Sequence, residues 1–244
     1  MPQRSDDLNW IRRWIKKGLS KDKKTLDISN RRITLNVAMD LAEGMAVPGI
    51  VNLHMNNCWL KDTGMEEIAD SDLFEGLEEL WLHENRLHSE GMEHLCDSSR
   101  LGKLKKLVLY GNRIGPEGAE AMANAEILQN LEALDLSFNS IGDAGAIALA
   151  ESEVLDKLKV LHLDANGIGY EGLMALAETK RLRSLRELNV THNRIDPVGD
   201  YQNLFTARKV KTLRVFRSDA VPPEEEEPRN GKRFPRRPSR PPPA

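Results

Sequence analysis

The chain has 244 residues, of which 40% are apolar, 30% are charged and only 5% are aromatic, with a formal net charge of −3. This length suffices for a folded core, which must be built mainly from aliphatic side chains. No apolar run reaches the roughly 18–20 residues of a membrane span, which excludes a membrane-spanning protein. The two cysteines, Cys58 and Cys96, are too few for a disulfide framework or a four-cysteine zinc site.

The N-terminal segment predicts an amphipathic helix over residues 5–20. Its apolar stripe at helical spacing consists of Leu8, Ile11, Trp14, Ile15 and Leu19. Ser5, Asp6 and Asp7 supply an N-cap and an acidic first turn. The first residues lack the apolar region of a secretory signal peptide, and with the low cysteine content this leads us to expect a cytoplasmic location.

One motif, Leu-x-x-Leu-x-Leu-x-x-Asn-x-Ile, then recurs along the chain. Its best copies place Asn112, Asn139, Asn166 and Asn193 in one column. The column continues towards the N-terminus through Asn85, Cys58 and Arg31, so seven registers follow at intervals of 27 residues without an insertion. An eighth, weaker copy is predicted from Val210, Leu213 and Val215, with Ser218 in the Asn column.

Each repeat predicts one strand followed by one helix. The Leu-x-Leu part alternates with period two, and the segment after the final Ile or Leu carries apolar residues at helical spacing. The Asn side chains are expected to turn inward and to satisfy backbone groups. A second column with the same period predicts close approach of each helix backbone to the neighbouring coil, where a side chain would not fit: Gly64, Gly91, Gly118, Gly145, Gly172 and Gly199.

These repeats resemble the leucine-rich repeat family, and the 27-residue unit with a full helix is similar to its ribonuclease-inhibitor-like subclass. The resemblance implies an α/β solenoid (horseshoe) with a concave parallel sheet and convex helices. Residues 1–22 are then expected to form an N-terminal capping helix over the open edge of about eight repeats in residues 23–220. The alternative for this helix is a basic amphipathic element for a membrane surface or a partner's groove, using Trp10 and Trp14.

Residues 221–244 differ in composition from the repeats. Glu224 to Glu227 are followed by a segment rich in Pro and Arg. Such a segment cannot bury apolar surface, so we expect a disordered tail with local polyproline II character. The spacing Lys232-x-x-Pro235-x-x-Pro238 has the form of an SH3-type ligand, and the alternative is a solubilising tail that folds back onto the acidic body.

The outward-facing columns of the predicted sheet give the candidate binding residues. Residues beside the buried leucines of each strand face solvent on the concave side. Large aromatic side chains have no packing role there, and aromatic residues are enriched in binding hot spots. The predicted partner-binding residues are His54, Asn56, Trp81, His83, Tyr110, Asp135 and His162.

The same face also carries residues of the kinds that form metal or acid–base sites. His162 and Asp164 lie on one face of the same predicted strand, and Asp135 lies on the adjacent strand. Chance clusters of polar residues are common on a parallel sheet, and no ligand pattern of a zinc site is present, so we predict no metal and no cofactor. Neither a phosphate loop nor a nucleophile motif occurs in the sequence, which predicts a protein without catalytic residues.

A further column directly after the Asn column carries Arg86, Arg113 and Arg194, which form the candidate rim contact. Glu90 and Glu117 are placed to pair with the first two. Ran GTPase-activating proteins are similar in repeat type and engage a GTPase through a repeat edge. The rim therefore supports an alternative function, a regulator of a small GTPase, although repeat type alone assigns no catalytic Arg.

The sequence thus predicts a non-enzymatic scaffold that binds a partner protein through the concave face of the solenoid. An SH3-type partner is a further candidate for the tail. Nucleic acid is disfavoured because the body is acidic, and the basic tail alone would bind it mainly through salt-dependent phosphate contacts.

Overall fold

A computed structural model describes residues 9–44, 47, 49–194 and 215–217. In these residues, short strands alternate with helices along the chain. The helices are α1 (Asn9–Gly18), α2 (Leu35–Gly44), α3 (Lys61–Ile68), α4 (Ser89–Cys96), α5 (Gly115–Asn124), α6 (Gly142–Glu151) and α7 (Tyr170–Glu178). The strands are β1 (Thr25–Asp27), β2 (Asn52–His54), β3 (Glu79–Trp81), β4 (Lys106–Val108), β5 (Ala133–Asp135), β6 (Val160–His162), β7 (Glu187–Asn189) and β8 (Val215–Arg217).

The eight strands form one open parallel sheet in chain order. From β1 to β7, each residue pairs with the residue 27 positions later, as Leu26 does with Leu53 and Leu53 with Leu80. Helices α2 to α7 pack against one another in chain order on the other side of the solenoid. The predicted α/β solenoid of strand–helix units is therefore confirmed.

The register of the eighth strand differs from the predicted one. Leu188 on β7 pairs with Phe216, and Asn189 pairs with Arg217. The sequence prediction placed Leu213 opposite Leu188, and it was wrong by three residues. The reason is that Leu213 and Phe216 satisfy the Leu-x-x-Leu spacing as well as Val210 and Leu213 do, and no Asn fixes the register of this copy.

A continuous aliphatic core runs through the coils. The middle residue of every strand from β1 to β7 is a leucine that is at most 1% exposed. A single coil cannot enclose this side chain, so each leucine is buried against the coils on either side. The fold therefore constrains the middle residue of each strand and leaves its two neighbours to vary.

The Asn column forms a buried ladder that joins successive coils. The side-chain amide of Asn139 donates to the carbonyl oxygens of Leu109 and Leu136, at 2.9 and 3.0 Å. Its backbone N–H donates to Oδ1 of Asn166 in the next coil. In the same column, the thiol of Cys58 donates to the Ile28 carbonyl at 3.4 Å. The predicted inward orientation of these amides is confirmed.

The glycine column marks where each helix approaches the preceding coil. A Cβ atom added at Gly118 would lie 2.5 Å from Cγ2 of Ile114 and 3.2 Å from Cα of Ser89. At Gly145, an added Cβ would lie 3.0 Å from Cβ of Ala119 and 3.1 Å from Cα of Pro116 in the preceding coil. These distances are too short for a side chain, so glycine permits the close approach that the sequence predicted.

Helix α1 lies against the first strand. Ile11 is fully buried, and Leu19 forms an antiparallel bridge with Leu26. The guanidinium of Arg31, which replaces Asn in the ladder column, lies 4.9 Å from the ring centroid of Trp14. The apolar stripe of α1 therefore faces the first coil. That α1 stabilises the solenoid as a cap stays a prediction.

Two groups of predictions fall outside the described residues. One is the N-cap at Ser5 to Asp7. The other comprises Gly199 of the glycine column, Val210, Leu213 and Ser218 of the eighth copy, and the entire tail with its SH3-type spacing. Within the part of the chain that the structure describes, no helix is long and apolar enough to cross a membrane.

Candidate functional site

The concave face is formed by the first and third residues of each strand, which flank the buried middle leucine, and by exposed residues directly after the strand. In β2, β3, β5, β6 and β7, these flanking residues are partly exposed while the middle residue is buried. Parallel strands lie about 4.8 Å apart, so flanking side chains of successive strands contact one another. The face can therefore carry chemistry that does not disturb the core.

His54 and Trp81 begin an aromatic region on this face. Their ring centroids lie 5.2 Å apart across β2 and β3. The indole Nε1 of Trp81 donates to Oε2 of Glu79 at 3.2 Å, and the ammonium of Lys106 lies 4.3 Å from the ring centroid of Trp81. Both polar contacts come from the first strand positions, and they hold the indole between its neighbours.

A second aromatic group follows directly after the strands. The rings of His83 and Tyr110 meet edge to face at 6.5 Å, and those of Tyr110 and Phe138 lie 5.1 Å apart. Tyr110 is 37% exposed and Phe138 is 46% exposed. We refer to His54, Trp81, His83, Tyr110 and Phe138 as the aromatic half of the concave face.

Sequence reasoning missed Phe138. It occupies a column that has positive φ in successive coils, with φ of 57° at Glu84 and 59° at Phe138. Turn positions of this kind favour Asn, Asp or Gly, so a bulky residue is unusual there. The sequence signal that could have identified Phe138 is a phenylalanine in a column otherwise occupied by smaller or polar residues.

Asn56 lies at the edge of the aromatic half, and its side chain forms a hydrogen bond with the backbone of the next coil. Its N–H donates to Oγ of Ser29 at 3.1 Å, and its Oδ1 accepts from the N–H of His83 at 3.2 Å. Because the side chain links two coils, its first role is to position the segment that carries His83. Asn56 remains half-buried, so part of it also faces the concave surface.

Asp135 and His162 belong to a chain of charges farther along the sheet. Nδ1 of His162 lies 3.9 Å from Oδ2 of Asp135, and its Nε2 lies 3.4 Å from Oε1 of Glu187. Nε2 is buried, and its contact with Glu187 has the distance of an ion pair without the alignment of a hydrogen bond. One histidine is thus placed between carboxylates of both adjacent strands.

These contacts change the protonation of the pair. The carboxylate of Asp135 raises the pKa of His162, and Glu187 adds to this against the opposing effect of burial. Burial raises the pKa of Asp135, but the nearby imidazole of His162 and the hydrogen bond from the Ser137 N–H outweigh it and leave that pKa below its usual value. The pair therefore favours the charged form of both side chains.

A second ionic contact completes this region. Nδ1 of His192 lies 2.8 Å from Oδ1 of Asp164, which also accepts a hydrogen bond from the Thr191 hydroxyl. We refer to Asp135, His162, Asp164, Glu187 and His192 as the ionic half of the concave face. Within the described residues, no group of three or more His, Cys, Asp or Glu side chains is placed to hold a metal ion.

The two thiols lie apart from this face and are poor nucleophiles. Burial raises the pKa of the Cys58 thiol. Burial, with smaller contributions from Asp97 and Glu93, raises the pKa of Cys96 to about 12. Since the thiolate is the reactive form, neither side chain is activated for nucleophilic attack.

The rim arginines differ from the expected arrangement. The expectation that Glu90 and Glu117 pair with Arg86 and Arg113 was wrong, since neither ion pair forms between these described residues. The guanidinium carbon of Arg86 instead lies 3.6 Å from the ring centroid of Trp59 in the preceding coil. Trp59 and Arg86 occupy the same column in successive coils, and this position allows the guanidinium to stack on the ring.

The rim residues do not converge on one point. Arg86 and Arg113 belong to neighbouring coils, whereas Arg194 follows β7, three strands beyond β4. Three strand spacings correspond to roughly 14 Å along the sheet. The structure therefore brings the first two rim arginines near each other and leaves the third apart from them.

Comparison with known proteins gives one finding on the family. A model described as "Leucine Rich repeat" matches residues 103–123, 128–150, 156–177 and 181–199. A comparison with curated proteins found no match. Leucine-rich repeats generally serve as non-enzymatic scaffolds that bind protein partners. The first three matches coincide with the units β4–α5, β5–α6 and β6–α7 and the fourth includes β7, so residues 103–199 are leucine-rich repeats.

Proposed function

We propose that this protein is a non-enzymatic scaffold that binds a partner protein through the aromatic half of its concave face. The observation that carries the proposal is the pair Tyr110 and Phe138, which are in mutual contact and are both more than one-third exposed. Aromatic side chains on the ordered backbone directly after the strands lose little conformational entropy when they are covered, so they are efficient anchors for a partner.

The ionic half supports the same function in a different way. His162 is already between Asp135 and Glu187, and Asp164 is in contact with Thr191 and His192. A partner that covers such pairs gains little affinity from them, because their charged groups lose their hydration when the interface forms. This half is therefore suited to select partners by charge, while the aromatic half supplies most of the binding free energy.

Three finer assignments accompany this function. The 27-residue unit with a full helix supports the ribonuclease-inhibitor-like subclass. The two unpaired cysteines are compatible with the reducing cytoplasm. An SH3-type partner for the tail stays a prediction from the spacing of Lys232, Pro235 and Pro238.

The alternative function, a regulator of a small GTPase acting through the rim, has less support. Arg86 is stacked on Trp59, and Arg194 lies three strands beyond the coil of Arg113. An arginine that stabilises a transition state must reach into the partner's site, and no finding distinguishes one of these residues for that role.

The test is affinity capture of partners from a lysate, with quantitative mass spectrometry of what each variant retains. The full chain is compared with Trp81→Ala/Tyr110→Ala. The matched control is Tyr170→Ala, because Tyr170 is 39% exposed on helix α7, close to the 37% exposure of Tyr110 on the opposite side.

We expect a specific set of proteins that the wild type and Tyr170→Ala retain and the double variant loses. Circular dichroism must show that all three proteins are equally folded. Equal retention by the wild type and the double variant would contradict the assignment of the concave face. Loss with Tyr170→Ala instead would move the binding surface to the convex helices.

A further inference from the structure

A second surface lies on the rim of the N-terminal coils, outside the aromatic half. It is a groove of about 230 Å³ between the first and second coils of the solenoid, with Arg86 of the third coil at its edge. Its lining includes Arg32, Thr34, Leu35, Trp59, Lys61 and Arg86. We refer to these six residues as the rim groove.

The rim groove has exposed apolar surface. Five large apolar side chains of the described residues are exposed: Leu35, Trp59, Tyr110, Phe138 and Tyr170. Two of these line the groove, with Leu35 at 46% and Trp59 at 42% exposure. Apart from the aromatic half, no other surface of the described residues combines two such side chains. Exposed apolar side chains that cluster in a groove indicate an interaction site.

The charge of the groove is opposite to that of the whole chain. Its lining contains the cations Arg32, Lys61 and Arg86 and no carboxylate. None of the three forms an ion pair among the described residues. The complete sequence carries a net charge of −3. A cluster of unneutralised cations on such a chain favours an anionic group from outside.

The arginines are preorganised by Trp59. The guanidinium carbon of Arg86 lies 3.6 Å from the indole centroid, and that of Arg32 lies 5.6 Å from it. Stacking restrains a guanidinium while its in-plane N–H groups stay available for carboxylate oxygens. The backbone of Trp59 has a positive φ of 57° and lies in a short turn between buried neighbours.

The geometry points to a docking site for an acidic segment of a partner protein, with carboxylates on Arg32, Lys61 and Arg86 and an apolar side chain on Leu35 and Trp59. The volume lies below the roughly 300–1,000 Å³ of small-molecule pockets, which favours a short stretch of peptide. Nucleic acid is less suitable, because it carries about one charge per 1.7 Å and requires a longer basic surface.

The probe for this site is a fluorescein-labelled peptide of sequence Glu-Glu-Glu-Leu-Glu-Glu-Glu, whose binding to the full chain is measured by fluorescence anisotropy at low salt. Its control replaces every Glu with Gln. We expect the acidic peptide to bind at least about tenfold more tightly than the Gln peptide, because its carboxylates meet unpaired cations.

Two charge-matched double variants locate the binding site. Arg32→Gln/Arg86→Gln should weaken binding of the acidic peptide by at least about tenfold, because it removes both stacked guanidinium groups. Arg113→Gln/Arg194→Gln removes the same charge from the same rim outside the groove, and it should change the affinity by less than about threefold. Trp59→Leu keeps every charge and should weaken binding by about threefold or more.

Several outcomes would overturn the proposal. Equal losses in the two double variants would show attraction by net charge alone. Equal binding of the acidic and Gln peptides would exclude recognition of carboxylates. Tighter binding of a single-stranded oligonucleotide than of the acidic peptide would assign the groove to nucleic acid. A gain of more than about tenfold after replacing Glu224 to Glu227 with Gln would identify the protein's own tail as the occupant.

Discussion

The two halves of the concave face use the same backbone for different chemistry. In the aromatic half, Trp81, Tyr110 and Phe138 contact other rings and keep exposed area. In the ionic half, His162 lies between two carboxylates, and the contacts are made within the protein. Strand pairing and leucine burial are the same in both halves. The difference therefore arises only from residues that the core does not constrain, and it indicates which half has apolar surface to offer a partner.

The largest expected effect tests the claim that both halves rest on one framework. Asn139→Ala should lower the free energy of unfolding by about 3 kcal/mol, because it removes the buried donations to the carbonyl groups of Leu109 and Leu136 and the acceptor of the Ile114 N–H. The exposed Asn124→Ala should change it by less than about 0.5 kcal/mol. Urea unfolding measures both values. A loss below about 1 kcal/mol for Asn139→Ala would show that the ladder is not a main source of stability.

The next effect concerns the end of the solenoid beside the aromatic half. Ile11 on α1 is fully buried, so Ile11→Ala should lower the free energy of unfolding by about 2 kcal/mol. The neighbouring Arg12 is exposed, and Arg12→Ala should have little effect. Thermal and urea unfolding provide the comparison. If both variants unfold like the wild type, α1 does not stabilise the first coil and the capping assignment fails.

The smallest effect tests the ionic half by pH. Because the pKa of His162 is raised in the folded state, its contribution to stability is fully present below the unfolded value of about 6.5 and is lost as pH rises through the folded pKa. The wild type should therefore lose stability relative to His162→Gln between about pH 6 and pH 8, by less than about 1 kcal/mol for a partly exposed pair. Urea unfolding at several pH values measures this difference.

A matched variant shows whether the carboxylates cause this pH dependence. Asp135→Asn removes the contact that contributes most to the raised pKa of His162. The pH-dependent difference between Asp135→Asn and Asp135→Asn/His162→Gln should then be smaller than the difference in the wild-type background. A stability of the wild type that rises relative to His162→Gln over the same pH range would contradict the assignment.

Much of the fold could be predicted because its constraints repeat in the sequence. Each Asn of the ladder and each buried leucine recurs after 27 residues, so the pairing of β1 to β7 followed from the period. The eighth strand lacked an Asn, and its Leu-x-x-Leu spacing could be filled in two registers, by Val210 and Leu213 or by Leu213 and Phe216. Its pairing with β7 through Phe216 could therefore not be chosen from the sequence.

The candidate site was less predictable, because its contacts join columns that were considered separately. Glu79, Lys106 and Glu187 occupy the first position of their strands, which was not included in the candidate site, yet they contact Trp81 and His162. Arg86 was expected to pair with Glu90, and the structure shows that it stacks on Trp59 instead. Side-chain direction, rather than spacing, decides such contacts.

The central claim is that the aromatic half supplies most of the binding free energy. Its most direct test is the dissociation constant of a captured partner, measured by titration calorimetry with Tyr110→Ala and Tyr170→Ala. These two tyrosines are similarly exposed on opposite sides of the solenoid. The account predicts that Tyr110→Ala weakens binding by about 30-fold, or about 2 kcal/mol, and that Tyr170→Ala changes it less than about twofold. Equal losses, or a larger loss with Tyr170→Ala, would contradict it.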